Sequence, residues 1–304
     1  MVGWGAPPGV TSLDYEVVAI FGPTASGKSL VAQAVADRLR TEVVSADALQ
    51  VYRGLPILTN QPETPTRLVA IRDLEQTMSV GEYARLAHEA IDGLVATRGS
   101  AVVAGGTGLY LRAALADLDI PPAVEAASRR RLERLYDNDP DDAYERLRTM
   151  DPASAAAVHV NDRRRVVRAL ELAEAGSSLV PADARLWSHD MRRPTLVVGL
   201  GLPGAELRRR IDARTDDMIA RGVAAEVESA LRGSVSPTAA KALGLAELAT
   251  LAPEDARDRL AARTRQYAAY QRKWMRRIPG IATIDADRPP EQVADAILDL
   301  ARSR

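Results

Sequence analysis

Gly22-Pro23-Thr24-Ala25-Ser26-Gly27-Lys28-Ser29 is the stretch that decides how this chain is read. It fits the pattern G-x-x-x-x-G-K-[ST], and both flanks agree with it. Before it, Val17-Val18-Ala19-Ile20-Phe21 is a run of apolar, mostly β-branched residues that predicts a buried strand; after it, Leu30 to Leu39 predicts a helix. A loop that turns a buried strand into a helix gathers backbone N–H groups and the positive end of the helix dipole at one point, which suits a polyphosphate. Gly22, Thr24, Ala25, Ser26 and Gly27 then shape the cradle, Lys28 supplies a point charge, and Ser29 offers a hydroxyl to Mg²⁺. Such a loop is ordinarily an ATP site, but the motif alone leaves open which phosphate compound it holds.

Further strand-like runs recur along the chain with helical stretches between them, at 42–46, 67–71, 101–104, 195–201 and 281–285. With 16–21, this alternation predicts an α/β fold: a P-loop NTPase-like parallel sheet flanked by helices. The spacing breaks between Ala104 and Thr195. Residues 116–193 are charged, helix-prone and punctuated by Pro121, Pro122, Pro140 and Pro152, with no strand-like run, so they read as an all-helical insertion domain. That leaves 1–115 and 194–304 as the core, with a helical C-terminal part ending in a helix over 289–302. Residues 1–14 read as a loose leader.

A chain of 304 residues exceeds one average core, and 46% hydrophobic with 27% charged residues is ordinary for a globular protein. No apolar run approaches the roughly 20 residues needed to span a bilayer, and no signal-peptide pattern is present. A cytoplasmic, monomeric protein without a membrane partner is expected. The absence of cysteine excludes disulfides, thiolate zinc sites and cysteine nucleophiles, while His88, His159 and His189 lack metal-ligand spacing. The formal net charge of −1 is uninformative, but residues 257–277 carry eight basic side chains against Asp258, with Tyr267, Tyr270 and Trp274 interleaved. That mixture suits a phosphate backbone with unstacked bases; it equally suits a solvated helix whose aromatics pack inward.

Ligands of open α/β sheets lie beyond the carboxyl ends of the strands. Asp47 directly follows the 42–46 strand and so falls in that crevice, although Asp there is also a good helix N-cap. Gly105-Gly106-Thr107-Gly108 follows the 101–104 strand, where many P-loop ATPases place an acid; its glycines and threonine count against a hydrolytic ATPase. Thr107 also suits a tight turn. On a helix over 206–221, Arg210 and Arg214 share a face, as a diphosphate site requires and as surface helices often show. In the insertion, Arg164 and Arg168 share a face beside Asn161 and Asp162.

The P-loop, Ser45-Ala46-Asp47-Ala48-Leu49-Gln50-Val51-Tyr52, Gly105-Gly106-Thr107-Gly108-Leu109-Tyr110, Asn161-Asp162-Arg163-Arg164-Arg165-Val166-Val167-Arg168-Ala169-Leu170-Glu171, Arg210-Ile211-Asp212-Ala213-Arg214 and Thr264-Arg265-Gln266-Tyr267 occur in that order. Together, from about residue 16 to 285, they resemble the tRNA dimethylallyltransferases (isopentenyltransferases). The resemblance implies transfer of dimethylallyl from its diphosphate to N6 of the adenosine immediately 3′ of the anticodon. It implies that Asp47 takes the amine proton, that Thr24 and Thr107 contact the diphosphate or align the reactants, and that Lys28, the P-loop amides, Mg²⁺ near Ser29, and Arg214 stabilise the departing pyrophosphate. It implies tRNA contacts at Asp47, Ala48, Leu49, Gln50, Arg164, Arg165, Arg168, Lys241 and Gly244, with the insertion closing on the anticodon stem-loop. The chain departs from the family pattern at Ala48, Gln61, Pro65-Thr66-Arg67-Leu68, Leu245 and Ala269-Tyr270. Rival readings are a P-loop small-molecule kinase, a non-catalytic RNA-binding relative, and a prenyltransferase acting on free adenylate.

Overall fold

The computed structural model describes residues 14–118, 126–180 and 189–302. Pro121, Pro122 and all of the expected leader except Asp14 lie outside them. The strand before the P-loop, β1 (Val17–Phe21), lies inside a six-stranded sheet. Its companions are β2 (Val43–Ser45), β3 (Thr66–Arg67), β4 (Ala101–Gly105), β5 (Thr195–Gly201) and β6 (Ala282–Asp285), in the order β3-β2-β4-β1-β5-β6. Every pairing is parallel. Such a sheet needs cover on both faces, and β1 and β4 are accordingly buried at each position. Val18, Ile20, Val102, Val198 and Leu200 enter one core with α1 (Lys28–Leu39) and α12 (Pro290–Arg302). The apolar stripe Val293, Ala294, Ile297, Leu298 and Ala301 makes α12 a covering helix. Against β4, α2 (Val80–Arg98) and α3 (Gly108–Leu115) pack on each other.

One expected strand is largely absent. Of the run at 67–71, only Arg67 is in a strand, the two-residue β3. Leu68 and Ala70 take φ of 64° and 52°, left-handed values at which an extended chain cannot continue. The amides of Ala70 and Ile71 donate instead to the carbonyls of Gln50 and Val51, at 2.9 and 2.8 Å. The apolar residues there serve a loop that buttresses the 47–52 segment.

After β5 come α8 (Gly204–Ala220), α9 (Val223–Leu231), α10 (Leu245–Thr250) and α11 (Pro253–Met275). Leu58, Met218, Val227, Leu245 and Leu260 form their shared apolar cluster. Among the described residues, no helix is long and apolar enough to cross a membrane.

Residues 118–188 form a separate compact unit. Its described elements are helices: α4 (Ala126–Asn138), α5 (Pro140–Met150), α6 (Pro152–Ala157) and α7 (Arg163–Glu174). Asp139 and Asp151 cap α5 and α6 with their carboxylates, each followed by proline at the first helical position. Leu132, Tyr136, Leu147, Val166 and Leu170 build a core of the unit's own. Ala116, Asp117 and 189–193 group instead with the sheet. Arg192 and Arg193 both pair with Asp92, Arg193 also pairs with Glu16, and the Arg192 amide donates to the Leu115 carbonyl at 2.9 Å.

Leu170→Ala should destabilise the helical unit by about 2–5 kcal/mol, the usual range for emptying a fully buried leucine site. Hydrogen exchange should rise over 126–174 and stay unchanged in β1.

Candidate active site

The first turn of α1 is where ligand donors gather. Its N-cap, Gly27, sits at φ 82° and supplies no side-chain cap, so the opening amides of the helix have no side-chain acceptor among the described residues. Ser26 is buried, and its Oγ has no hydrogen-bond partner among the described residues. The same holds for Nε of Arg214, which reaches in from α8 and donates from Nη1 to Thr24 Oγ1 at 2.5 Å. A buried donor left unpaired costs about 1–3 kcal/mol, so the Arg214 Nε, in a side chain that lines the cleft, marks a place for an oxygen-rich ligand.

Lys28 stands among these groups, with Nζ 3.5 Å from the Pro23 carbonyl. Burial pushes its pKa down to about 8; the Asp47 charge opposes the shift and the Arg214 charge adds to it. Burial also lowers the pKa of Arg214, again against Asp47. The cleft is therefore short of negative charge.

Asp47 serves both roles that its position suggests. Oδ1 accepts from the amides of Leu49 and Gln50 at 2.9 and 3.4 Å, capping the turn that follows β2. Among the described residues no group donates to Oδ2, and Asp47 lines the cleft with Thr24, Lys28, Ser29 and Arg214. Thr107 begins α3 as its N-cap, with Oγ1 3.4 Å from the Tyr267 hydroxyl. Burial, reinforced by the Asp47 charge, raises the Tyr267 pKa to about 12, so its phenol keeps its proton.

The glycines around Thr107 make room for α11. A Cβ on Gly106 would lie 2.2 Å from Nε2 of Gln271, and one on Gly108 would lie 2.1 Å from the Trp274 ring. Buried Gln271 accepts from the Thr24 amide at 2.7 Å and donates to the Gly106 carbonyl at 2.9 Å, joining the P-loop to the 105–108 loop. Sequence reasoning missed it. Its signal was the spacing Thr264, Tyr267, Gln271, one face of α11, and all three line the cleft. The apolar wall was foreseen only at Leu49, because Leu58, Met218, Leu243 and Leu260 come from four segments.

Arg210 does not join Arg214. Its guanidinium is held by Glu206 at 2.6 Å and Asp287 at 2.8 Å, outside the cleft lining, which corrects the expected arginine pair. Gln50 lines the cleft but is tied inward, accepting from Ser45 and donating to the Asn60 carbonyl at 2.8 Å. Gln61 donates to the Tyr52 carbonyl at 2.7 Å, stapling the same loop. Ala48 is half-buried beside them. Gly244 lies behind the apolar wall, where a Cβ would come within 2.7 Å of Leu260 Cδ1; Lys241 is exposed on a short turn. Arg164, Arg165 and Arg168 are on α7 of the helical unit. Arg164 and Arg165 are exposed, and Arg168 donates to Glu171 at 3.0 Å.

The sequence model described as IPP transferase matches residues 50–278, and one described as isopentenyl transferase matches 15–72. The chain belongs to the IPP transferase family. A protein of Thermobifida fusca named tRNA dimethylallyltransferase is 36% identical over 292 residues, 90% of this chain and 91% of that one. One of the same name from Streptomyces coelicolor is 38% identical, covering 87% and 88% of the two chains. The solved tRNA isopentenylpyrophosphate transferase of Bacillus halodurans superposes with a TM-score of 0.67 at 28% identity, covering 94% of this chain and 96% of that one. A eukaryotic dimethylallyltransferase captured acting on tRNA superposes with a TM-score of 0.71 at 27% identity, over 89% of this chain and 73% of its own. In this chain Thr24, Lys28, Asp47 and Arg214 make up the polar half of the cleft.

Because the free Lys28 amine titrates near 8, binding of inorganic pyrophosphate should weaken as pH rises above about 8, by up to tenfold per unit. The amine must regain its proton to pair with the anion, which gives this sign. Titration calorimetry from pH 7 to 10 should show the break in the wild-type protein and none in Lys28→Met.

Proposed function

We propose that this chain transfers the dimethylallyl group from dimethylallyl diphosphate to N6 of the adenosine immediately 3′ of the anticodon in tRNA, releasing pyrophosphate in the cytoplasm. The observation that carries the reading is the composition of one cleft. Lys28, Arg214 and Thr24 offer cationic and donor groups, while Leu49, Leu58, Met218, Leu243 and Leu260 offer an apolar wall. A short branched alkyl chain on a diphosphate has those two halves.

The exocyclic amine of adenine is a weak nucleophile, because its lone pair is delocalised into the ring. As N6 bonds to C1 of the prenyl group, the C1–O bond breaks and pyrophosphate keeps the electron pair. Asp47 accepts the N6 proton through the carboxylate oxygen that does not cap the turn. Lys28, Arg214 and the first-turn amides of α1 take up the charge developing on the leaving group. Ser29 and Asp47 supply oxygen donors on the cleft lining, and among the described residues no cluster of three or more acidic, histidine or cysteine side chains stands ready for a metal. Of these, the Ser29 hydroxyl fits Mg²⁺ that draws its remaining ligands from phosphate oxygens and water; held by Ser29, it would neutralise charge on the diphosphate while Asp47 takes the proton. The target base has to leave its stack to enter the cleft. Exposed Arg164 and Arg165, with Arg168, suit the helical unit to the backbone of the anticodon stem-loop.

Incubation with dimethylallyl diphosphate, Mg²⁺ and unmodified tRNA should yield prenylated adenosine by mass spectrometry; no product from several tRNAs with adenosine at the target position would sink the proposal. Asp47→Asn should lower transfer by at least about 10²-fold while tRNA binding persists. Arg214→Ala should raise the KM for the diphosphate and leave the KM for tRNA near its wild-type value.

A further inference from the structure

The loop after β2 brings Leu58, Thr59 and Asn60 to the cleft, and it is shaped by a residue outside the cleft lining. Residues 55–59 close one helical turn, in which the Thr59 amide donates to the Leu55 carbonyl at 3.0 Å. Pro56 opens the turn with no N–H to satisfy, which leaves the amides of Ile57 and Leu58 as its orphan donors. Leu55 has no side-chain oxygen with which to cap them. Glu226 of α9 caps them instead, from 169 and 168 positions away: Oε2 accepts from Ile57 and Oε1 from Leu58, both at 2.8 Å. Other acids of α8 and α9 pair with arginines, Asp217 with Arg221 and Glu228 with Arg232. Among the described residues Glu226 forms no ion pair and gives both oxygens to the turn. Amide bonds to a carboxylate are charge-assisted, and two from one side chain fix the turn in position as well as orientation.

The side chain that this turn sets is Leu58. Leu58 and Leu260 are both buried, and their tips meet in front of Gly244. A Cβ on Gly244 would lie 3.0 Å from Leu58 Cδ1 and 2.7 Å from Leu260 Cδ1, so no space remains behind the two leucines. This part of the wall has nowhere to retreat. Across the cleft, Lys28 on the first turn of α1 and Arg214 on α8 fix where a diphosphate lies. A cleft with a fixed anion site and a fixed apolar end measures the chain between them.

We infer that Glu226, acting through Leu58, sets the length of the prenyl chain that the cleft accepts. The inference rests on the reading of the cleft as a prenyl diphosphate site. Glu226 is a positioning residue, outside the lining and touching neither end of the ligand. Held by it, Leu58 admits one branched five-carbon unit and turns away a second.

The test is titration calorimetry with the thiolodiphosphate analogues of the dimethylallyl and geranyl chains, on the full protein without tRNA. Wild type should prefer the five-carbon analogue by at least about tenfold, the lower figure for a single surplus methylene in an apolar pocket. Leu58→Ala should shift that ratio toward the ten-carbon analogue by about tenfold or more. Glu226→Gln keeps every cleft side chain but turns an amino group toward one of the two amides, and should shift the ratio in the same direction. Both variants should bind inorganic pyrophosphate as wild type does, whereas a merely structural role would weaken all three ligands together. A wild type without the preference would overturn the inference, as would a parallel loss of pyrophosphate binding or a ratio that Glu226→Gln leaves unchanged. If wild type shows the preference yet prenylates no tRNA, the inference stands and the proposed reaction falls. If it binds pyrophosphate but neither analogue, the prenyl reading of the cleft and the inference fall together.

Discussion

The side-chain amide of Gln271 fixes the distance on which the cleft depends. Two loops leave adjacent parallel strands, β1 and β4, and the backbone bonding between them runs only to the Gly22 amide on the Gly105 carbonyl. Gln271 joins them by accepting from the Thr24 amide and donating to the Gly106 carbonyl, while buried. Both of its polar ends are satisfied, so the cost of burying the amide is met at that point. Gly106 follows from it, since a side chain there would occupy the space of the amide itself. One turn earlier on the same helix, Tyr267 meets Thr107, so a single helix sets both the phosphate cradle and the hydroxyl facing it.

On that frame the electrostatics are deliberately incomplete. Lys28 and Arg214 are drawn out of water together, and Asp47 is the acid that offsets both. The Nε of Arg214 is left without a partner among the described residues. The free protein holds positive charge at a cost that an anionic ligand removes, so affinity for the diphosphate is built into the folded state. The apolar wall belongs to the cluster that packs α8 through α11 and is as rigid as a core.

Much of this was legible in the sequence because it depends on local rules. A glycine-rich turn between strand and helix, an acid directly after a β-run, and aspartate-proline helix starts each declare themselves within a few residues. The features that were not legible depend on pairing across the fold. The 67–71 run has strand composition, but its backbone turns left-handed at Leu68 and Ala70 to bond with 50 and 51. Arg210 and Arg214 share a helix face by spacing, yet Glu206 and Asp287 claim the first and leave the second to Thr24. No periodicity shows that Gln271 will find the P-loop 247 positions away.

Thr24 is held at both its backbone and its side chain, with the amide on Gln271 and the hydroxyl on Arg214. In a loop of this type every amide committed to protein is one withdrawn from phosphate oxygens. The cradle thus offers one donor fewer at Thr24, while α1 opens without a side-chain cap. A loop that has given up its Thr24 amide has one donor fewer for any phosphate it holds.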